Sequence, residues 1–147
     1  MSMVDITAKP EIYREATARG QIKLRAETVK LMRDGKVEKG DPLYTAKISG
    51  ILAAKNTSML IPLCHPIPLT SVDINVRILE DNTIEVESTV RAFAQTGVEM
   101  EALVATTIAL LTIWDMVKQY EKDAEGQYPQ TFIQNVQVVK KVKCEFE

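Results

Sequence analysis

The chain has 147 residues, 46% of them hydrophobic and 26% charged, with a formal net charge of −2 at neutral pH. That length suits one domain, spanning residues 1–147, with a real hydrophobic core. The charge balance, without an Arg/Lys stripe carrying interleaved aromatics, gives no footprint for nucleic acid, and two cysteines exclude a disulfide framework or a four-ligand zinc site.

The opening residues, Met1 to Asp5, lack the charged and apolar regions of a secretory signal. Residues 12–24 place Ile12, Ala16, Ala18, Ile22 and Leu24 on even positions and mostly polar residues on odd ones. Period two predicts a half-buried strand, bent at Gly20, with Arg14 interrupting its apolar side. Residues 26–34 read as a short helix stopped by Gly35. After a polar loop, Asp41-Pro42 starts a second helix that runs to about Asn56, with Tyr44, Ile48, Ile51 and Leu52 on one side.

Residues 60–69 hold the single histidine, one of the two cysteines and three of the six prolines. Proline fixes φ and lacks an N–H, so this stretch is an extended, stiff connector. Its apolar residues around Cys64-His65 predict one wall of a pocket. A hairpin follows, with Val72, Ile74, Val76 and Ile78 alternating before the turn at Glu80-Asp81-Asn82-Thr83, and Ile84, Val86, Ser88, Val90 and Ala92 after it.

Thr96-Gly97-Val98-Glu99 has the form of a capping box. A helix of about 26 residues, some 39 Å long, is expected from there to about Asp123. Its most apolar run, residues 102–114, is broken by three threonines and is too short to span a bilayer. A soluble, cytoplasmic protein with no membrane association is the resulting expectation. Phe132, Val136, Val138 and Val142 suggest a last strand. The order of strand, two helices, hairpin, helix and strand predicts an α+β fold: a ferredoxin-like antiparallel sheet with helices packed on one face, and oligomeric. The open sheet face and the overlong apolar helix both need cover, which self-association would supply.

Several residues could carry chemistry. Glu99 is either a cap residue or a functional carboxylate, whereas Glu101 has no capping role. Glu101 and Asp115 lie about 40° apart around the long helix but about 21 Å apart along it. One site uses both from one chain only if the ligand is long, and a site shared between subunits is the simpler expectation if both are functional. Lys118, three residues beyond Asp115, can pair with it as a surface salt bridge or as part of a site. The neighbours Ile113-Trp114 and Met116-Val117 suggest that Asp115 is partly buried, its charge stabilised by Lys118 or its pKa raised by desolvation. Cys64 and His65 are neighbours on an extended chain and point in different directions, so they make no nucleophile–base pair. Lys39 and Gly40 stand just before a helix N-terminus, a setting that suits an anion such as phosphate. Neither a P-loop nor a dinucleotide-binding glycine motif occurs.

Taken together, the stretches Met3-Val4-Asp5-Ile6-Thr7-Ala8-Lys9, Lys39-Gly40-Asp41, Ala53-Ala54-Lys55, Ile61-Pro62-Leu63-Cys64-His65-Pro66, Thr96-Gly97-Val98-Glu99-Met100-Glu101-Ala102-Leu103 and Leu111-Thr112-Ile113-Trp114-Asp115-Met116-Val117-Lys118 point one way. They resemble the cyclic pyranopterin monophosphate synthase family of molybdenum cofactor biosynthesis. The resemblance implies a lyase acting on 3′,8-cyclo-7,8-dihydroguanosine 5′-triphosphate, supplied by a radical partner enzyme, with release of pyrophosphate. It implies a homohexamer, a trimer of dimers, with sites at subunit interfaces. By motif it assigns Asp115, Lys39 and Lys118 as catalytic and Leu63, Cys64, His65, Met100, Glu101 and Lys55 as substrate-contacting. No built-in cofactor or metal site is implied, though Mg²⁺ could accompany the triphosphate. Arg14 and Arg25 are further cations that could meet phosphate, outside that set. The chain departs from relatives with a Gly-rich, Lys-containing tail, ending instead in Val138-Val139-Lys140-Lys141-Val142-Lys143. These lysines could substitute for the tail or form a basic strand edge that discourages aggregation.

Overall fold

A computed structural model of the chain describes residues 1–80 and 82–145. Its elements are β1 (Ile12–Lys23), α1 (Ala26–Arg33), α2 (Pro42–Lys55), α3 (Thr57–Leu60), β2 (Ser71–Glu80), β3 (Thr83–Ala94), α4 (Glu99–Glu121) and β4 (Phe132–Cys144). The strands form one antiparallel sheet in the order β2-β3-β1-β4. This split βαβ plan is the expected ferredoxin-like α+β fold. The hairpin turn includes Asp81, which lies outside the described residues, as do the last two residues of the chain.

Alternation decides which face of each strand is buried. Ile12, Ala16, Ala18 and Ile22 of β1 and Ile84, Val86, Val90 and Ala92 of β3 face the helices and are at most 5% exposed. The bend expected at Gly20 coincides with breaks in the β1–β4 register between Thr17 and Ala18 and between Arg19 and Gln21. A Cβ at Gly20 would lie 2.9 Å from side-chain carbons of both Leu110 of α4 and Val136 of β4, so a larger residue there would force these side chains to shift. On α4, Ala102, Ala105, Ala109, Leu110, Ile113 and Val117 are fully buried against the sheet and α2. Thr106 is buried too, and its hydroxyl donates to Ser88 Oγ at 2.9 Å, which removes the cost of burying it.

Four expectations are corrected. Thr96 does not cap α4: the helix begins at Glu99 after Val98, with no side-chain cap, and spans 23 residues rather than about 26. Glu99 instead pairs with Lys141 of β4 at 2.6 Å, a partner supplied by tertiary contact and invisible to a local motif. A further short helix, α3, follows α2 and takes only Leu60 from the stretch expected to be extended, while residues 61–69 hold no helix or strand. The sheet's open face carries its own polar cover, an ion-pair ladder in which Arg19 reaches Glu87 at 2.8 Å, Arg77 reaches Glu85 at 2.6 Å and Arg91 reaches Glu15 at 2.9 Å. Exposed apolar residues include an outer stripe on α2 and α3, with Tyr44, Ile48, Leu52, Met59 and Leu60, and Phe132, Val136, Val138 and Val139 on β4.

The C-terminal end of α4 is fixed by Glu121, 1% exposed, whose carboxyl accepts from Arg25 N–H at 3.0 Å, Thr131 Oγ1 at 2.7 Å and Thr28 Oγ1. Each buried donor left without an acceptor costs about 1–3 kcal/mol. Glu121→Ala is therefore expected to lower the unfolding free energy by about 3–5 kcal/mol, read by urea denaturation, with Thr131→Val losing markedly less.

Candidate functional site

The first cluster stands on the last turns of α4. Asp115 projects outward, 62% exposed at its side chain, with Lys118 Nζ 3.1 Å from Oδ1 and Lys39 Nζ 3.5 Å from Oδ2. Lys39 also donates to the Asp115 backbone carbonyl at 3.0 Å. It reaches there because its loop is tied down: Glu38 N–H donates to Tyr120 Oη at 2.9 Å and Gln119 Nε2 donates to Glu38 Oε2 at 3.1 Å. Gly35 (φ 66°) and Gly40 (φ 121°) take the left-handed conformations that let the loop turn at each end.

Asp115 is thus not partly buried, because its apolar neighbours Ile113, Met116 and Val117 face inward while residue 115 falls on the wet side. The hydrogen bond from Lys118, its charge and that of Lys39 hold the Asp115 carboxyl below the usual range. An open groove of about 320 Å³ runs beside the pair, lined by Leu111, Trp114, Asp115, Lys118 and Tyr128. Trp114 and Tyr128 meet edge to face with centroids 5.2 Å apart, forming an aromatic wall. Sequence reasoning had no role for Tyr128; its place after Gly126, which turns the chain back toward α4, was the only signal.

The second cluster surrounds the first turn of α4. Glu101 is 2% exposed, and among the described residues its Oε1 has no hydrogen-bond partner. Oε2 lies 3.9 Å from Cys64 Sγ. Burial pushes the Glu101 carboxyl up, and it pushes the Cys64 thiol up as well, helped by the Glu101 charge. Leu63 and Met100 flank them and are 45% and 40% exposed. As expected of neighbours on an extended chain, His65 points elsewhere, its Nε2 lying 2.7 Å from the Val4 carbonyl. For Glu99, burial raises the carboxyl but Lys141 and its own N–H outweigh that, leaving it low.

The remaining candidates separate. Lys55 borders a different groove, of about 380 Å³, with Ile51, Ile67 and Leu69. Arg14 is 5% exposed and its guanidinium is spent on the carbonyls of Ala94 and Gln95, at 3.3 and 3.2 Å. Arg25 is committed to the Tyr120 carbonyl at 3.0 Å and to Glu27 at 3.6 Å. Neither is placed to serve phosphate. The chain therefore holds two clusters toward opposite ends of α4, about 21 Å apart. One end keeps an ionised carboxylate between ammonium groups, the other a carboxyl biased toward its neutral form.

Fold and clusters together define a small ferredoxin-like α+β subunit presenting an anion-handling lysine pair and a buried acid. The chain belongs to the MoaC family, whose model matches residues 3–144. It is 60% identical over 143 residues to a protein of Pyrococcus horikoshii named probable cyclic pyranopterin monophosphate synthase, covering 97% of this chain and 89% of the relative. A Sulfurisphaera tokodaii protein of the same name is 56% identical, over 96% of this chain and 93% of its own. A Methanothermobacter thermautotrophicus relative, 54% identical over 97% and 89%, is named probable cyclic pyranopterin monophosphate synthase accessory protein.

Two measurements test this electrostatic reading. Carbon-13 NMR of the Asp115 carboxyl is expected to titrate below the usual range, and to move up in Lys118→Ala more than in Lys39→Ala. Glu101 has a raised folded-state pKa, so it destabilises the fold above that pKa and carries no penalty once pH falls below the ordinary glutamate value of about 4.3. Glu101→Gln is thus expected to raise the Tm at pH near 7, by about 2–4 °C per kcal/mol regained, with the gain vanishing near pH 4. A Tm lowered at neutral pH would mean instead that a partner chain brings a donor to Oε1.

Proposed function

We propose that the chain is a cyclic pyranopterin monophosphate synthase of molybdenum cofactor biosynthesis, a lyase. It converts 3′,8-cyclo-7,8-dihydroguanosine 5′-triphosphate to cyclic pyranopterin monophosphate and pyrophosphate. The observation that carries this reading is the exposed Asp115 carboxylate held between Lys39 and Lys118 beside an aromatic-walled groove. Full-length relatives with the synthase name support it. The lysines offset triphosphate charge as the cyclic phosphate closes, and Asp115 keeps them aimed and accepts a proton. Leu63, Cys64, His65, Met100 and Glu101 form the other wall, where the Glu101 carboxyl, biased by burial toward its neutral form, faces the purine-derived ring. Lys55 adds a cation at the rim.

The two walls belong to different chains. Their separation along α4 and the exposed stripe of Tyr44, Ile48, Leu52, Met59 and Leu60 favour a homohexamer built from dimers with interfacial sites. Mg²⁺ would arrive with the triphosphate as part of the substrate, and a radical enzyme would supply that substrate, in the cytoplasm. The alternative of a non-catalytic module is favoured only by the accessory-protein name of one relative.

Turnover decides between them. Purified protein given the cyclo-dihydroguanosine triphosphate is expected to release pyrophosphate and pterin in equal amounts, and Lys118→Ala to abolish both with the oligomer intact. Glu101→Gln and Asp115→Asn are each expected to be nearly inactive. Mixed and reassembled, they regain up to about a quarter of wild-type activity, because that share of two-chain sites is intact. Full activity in Lys118→Ala, or no recovery on mixing, would sink the catalytic or the interfacial part respectively.

A further inference from the structure

The segment of residues 3–9 forms no helix or strand, yet side chains of the body hold it, Gln95 most of all. Gln95 Nε2 donates toward three of its carbonyls, Ile6 at 3.3 Å, Thr7 at 3.4 Å and Lys9 at 3.0 Å. Asp5 closes a turn within it, its Oδ1 accepting from Thr7 N–H at 2.9 Å and from Thr7 Oγ1 at 2.6 Å. Gln95 is itself fixed, since the buried Arg14 guanidinium donates to its carbonyl at 3.2 Å. The product of these bonds is the position of the Val4 carbonyl, 2.7 Å from His65 Nε2.

A carbonyl oxygen can only accept a hydrogen bond. The neutral His65 ring therefore carries its proton on Nε2 and keeps a lone pair on Nδ1. We infer that residues 3–9 are a strap that sets the tautomer and orientation of His65, with Gln95 and Asp5 as positioning residues. The inference rests on the proposed reading of His65 as a substrate contact. It adds which atom acts: Nε2 is committed to the chain, so Nδ1 accepts the hydrogen bond or proton from substrate. The strap also narrows the depression beside His65, about 100 Å³, to which Ile6, Pro66, Phe93 and Thr96 contribute walls. A ring held this way needs no reorientation when substrate arrives, the same advantage a carbonyl or carboxylate behind a catalytic imidazole gives elsewhere.

The chain has one histidine, so nitrogen-15 histidine labelling of the full-length protein reports on His65 alone. At pH about 8.5, where an ordinary imidazole is neutral, long-range proton–nitrogen spectra are expected to show the Nε2–H tautomer. Gln95→Leu, which removes the amide donors, and Asp5→Ala, which opens the turn, are each expected to give a mixture with Nδ1–H. Asp5→Asn keeps an oxygen for Thr7 and should restore the wild-type spectrum. In turnover, kcat of Gln95→Leu and Asp5→Ala is expected to fall roughly tenfold or more, with KM changing much less, inside the ~10²–10⁴-fold range of general acid–base catalysis. An Nδ1–H tautomer in the unaltered protein, or an unchanged spectrum in both variants, overturns the strap. A shifted tautomer with unchanged kcat overturns the role of His65 in the reaction while leaving the strap in place.

Discussion

The close seam between α2 and α4 is the contact on which the rest of the molecule depends. Ala46, Gly50, Ala53 and Ala54 of α2 and Ala102, Ala105 and Ala109 of α4 are all buried where the two helices pack together. A Cβ at Gly50 would stand 3.2 Å from the Ala105 carbonyl, so the helices meet nearly backbone to backbone. Small residues gain little from burial individually, but close approach lets many atom pairs reach contact distance at once. Ser49 and Thr112 then share a hydrogen bond of 2.7 Å across the seam, which fixes the helices along their axes. With α4 pinned to α2 on one side and to β1 and β3 on another, its two ends are set points rather than adjustable ones.

Two consequences follow for function. Placing alanines and glycine inward leaves α2's larger apolar residues outward, so the seam itself creates the exposed stripe of Tyr44, Ile48, Ile51 and Leu52. A rigid α4 also keeps Glu101 and Asp115 apart, since no bending within one chain closes about 21 Å. The separation of the two acids and the exposed apolar stripe thus share one cause, and the proposed interfacial site draws on both. Arg14 has a comparable role at the sheet's end, where its guanidinium orders the carbonyls of Ala94 and Gln95 just before α4 begins.

The strands and main helices were legible because their signals are local and periodic. Alternation in residues 12–24 and in the hairpin is a direct image of one buried face, and Asp41-Pro42 makes its cap within three residues, accepting from Leu43 and Tyr44 N–H groups. What failed depended on partners distant in sequence. Glu99 looked like a cap residue because nothing nearby shows that Lys141 will cross from β4 to meet it. Asp115 looked half-buried because its immediate neighbours are apolar, although helical geometry turns it away from them. The sheet's outer face looked open because ion pairs such as Arg19–Glu87 join residues that are adjacent only after the strands align. Of the candidate site, the motifs, the Asp115–Lys118 pair and the separation of Glu101 from Asp115 along α4 were readable; the reach of Lys39 to Asp115 and of Val4 to His65 was not, since both depend on how loops fold back.

The two acids of α4 differ in a way that bears on how a paired site would divide its labour. Glu101 is driven toward its neutral form by burial, with one oxygen unpartnered, while Asp115 is driven toward its ionised form by two lysines in an exposed setting. Environments that push two carboxyl groups in opposite directions assign them different roles, one able to donate a proton and one able only to accept. Exchanging the residues' settings would defeat both. A charged Glu101 would lack a proton to donate from its buried setting, and a neutral Asp115 would release the ammonium groups that it aligns. In the proposed reaction the phosphate end of the substrate therefore belongs at the lysine-flanked half-site and the ring end at the Cys64-Glu101 half-site. That orientation keeps the triphosphate's charge away from Glu101, a buried acid with an unpartnered oxygen among the described residues.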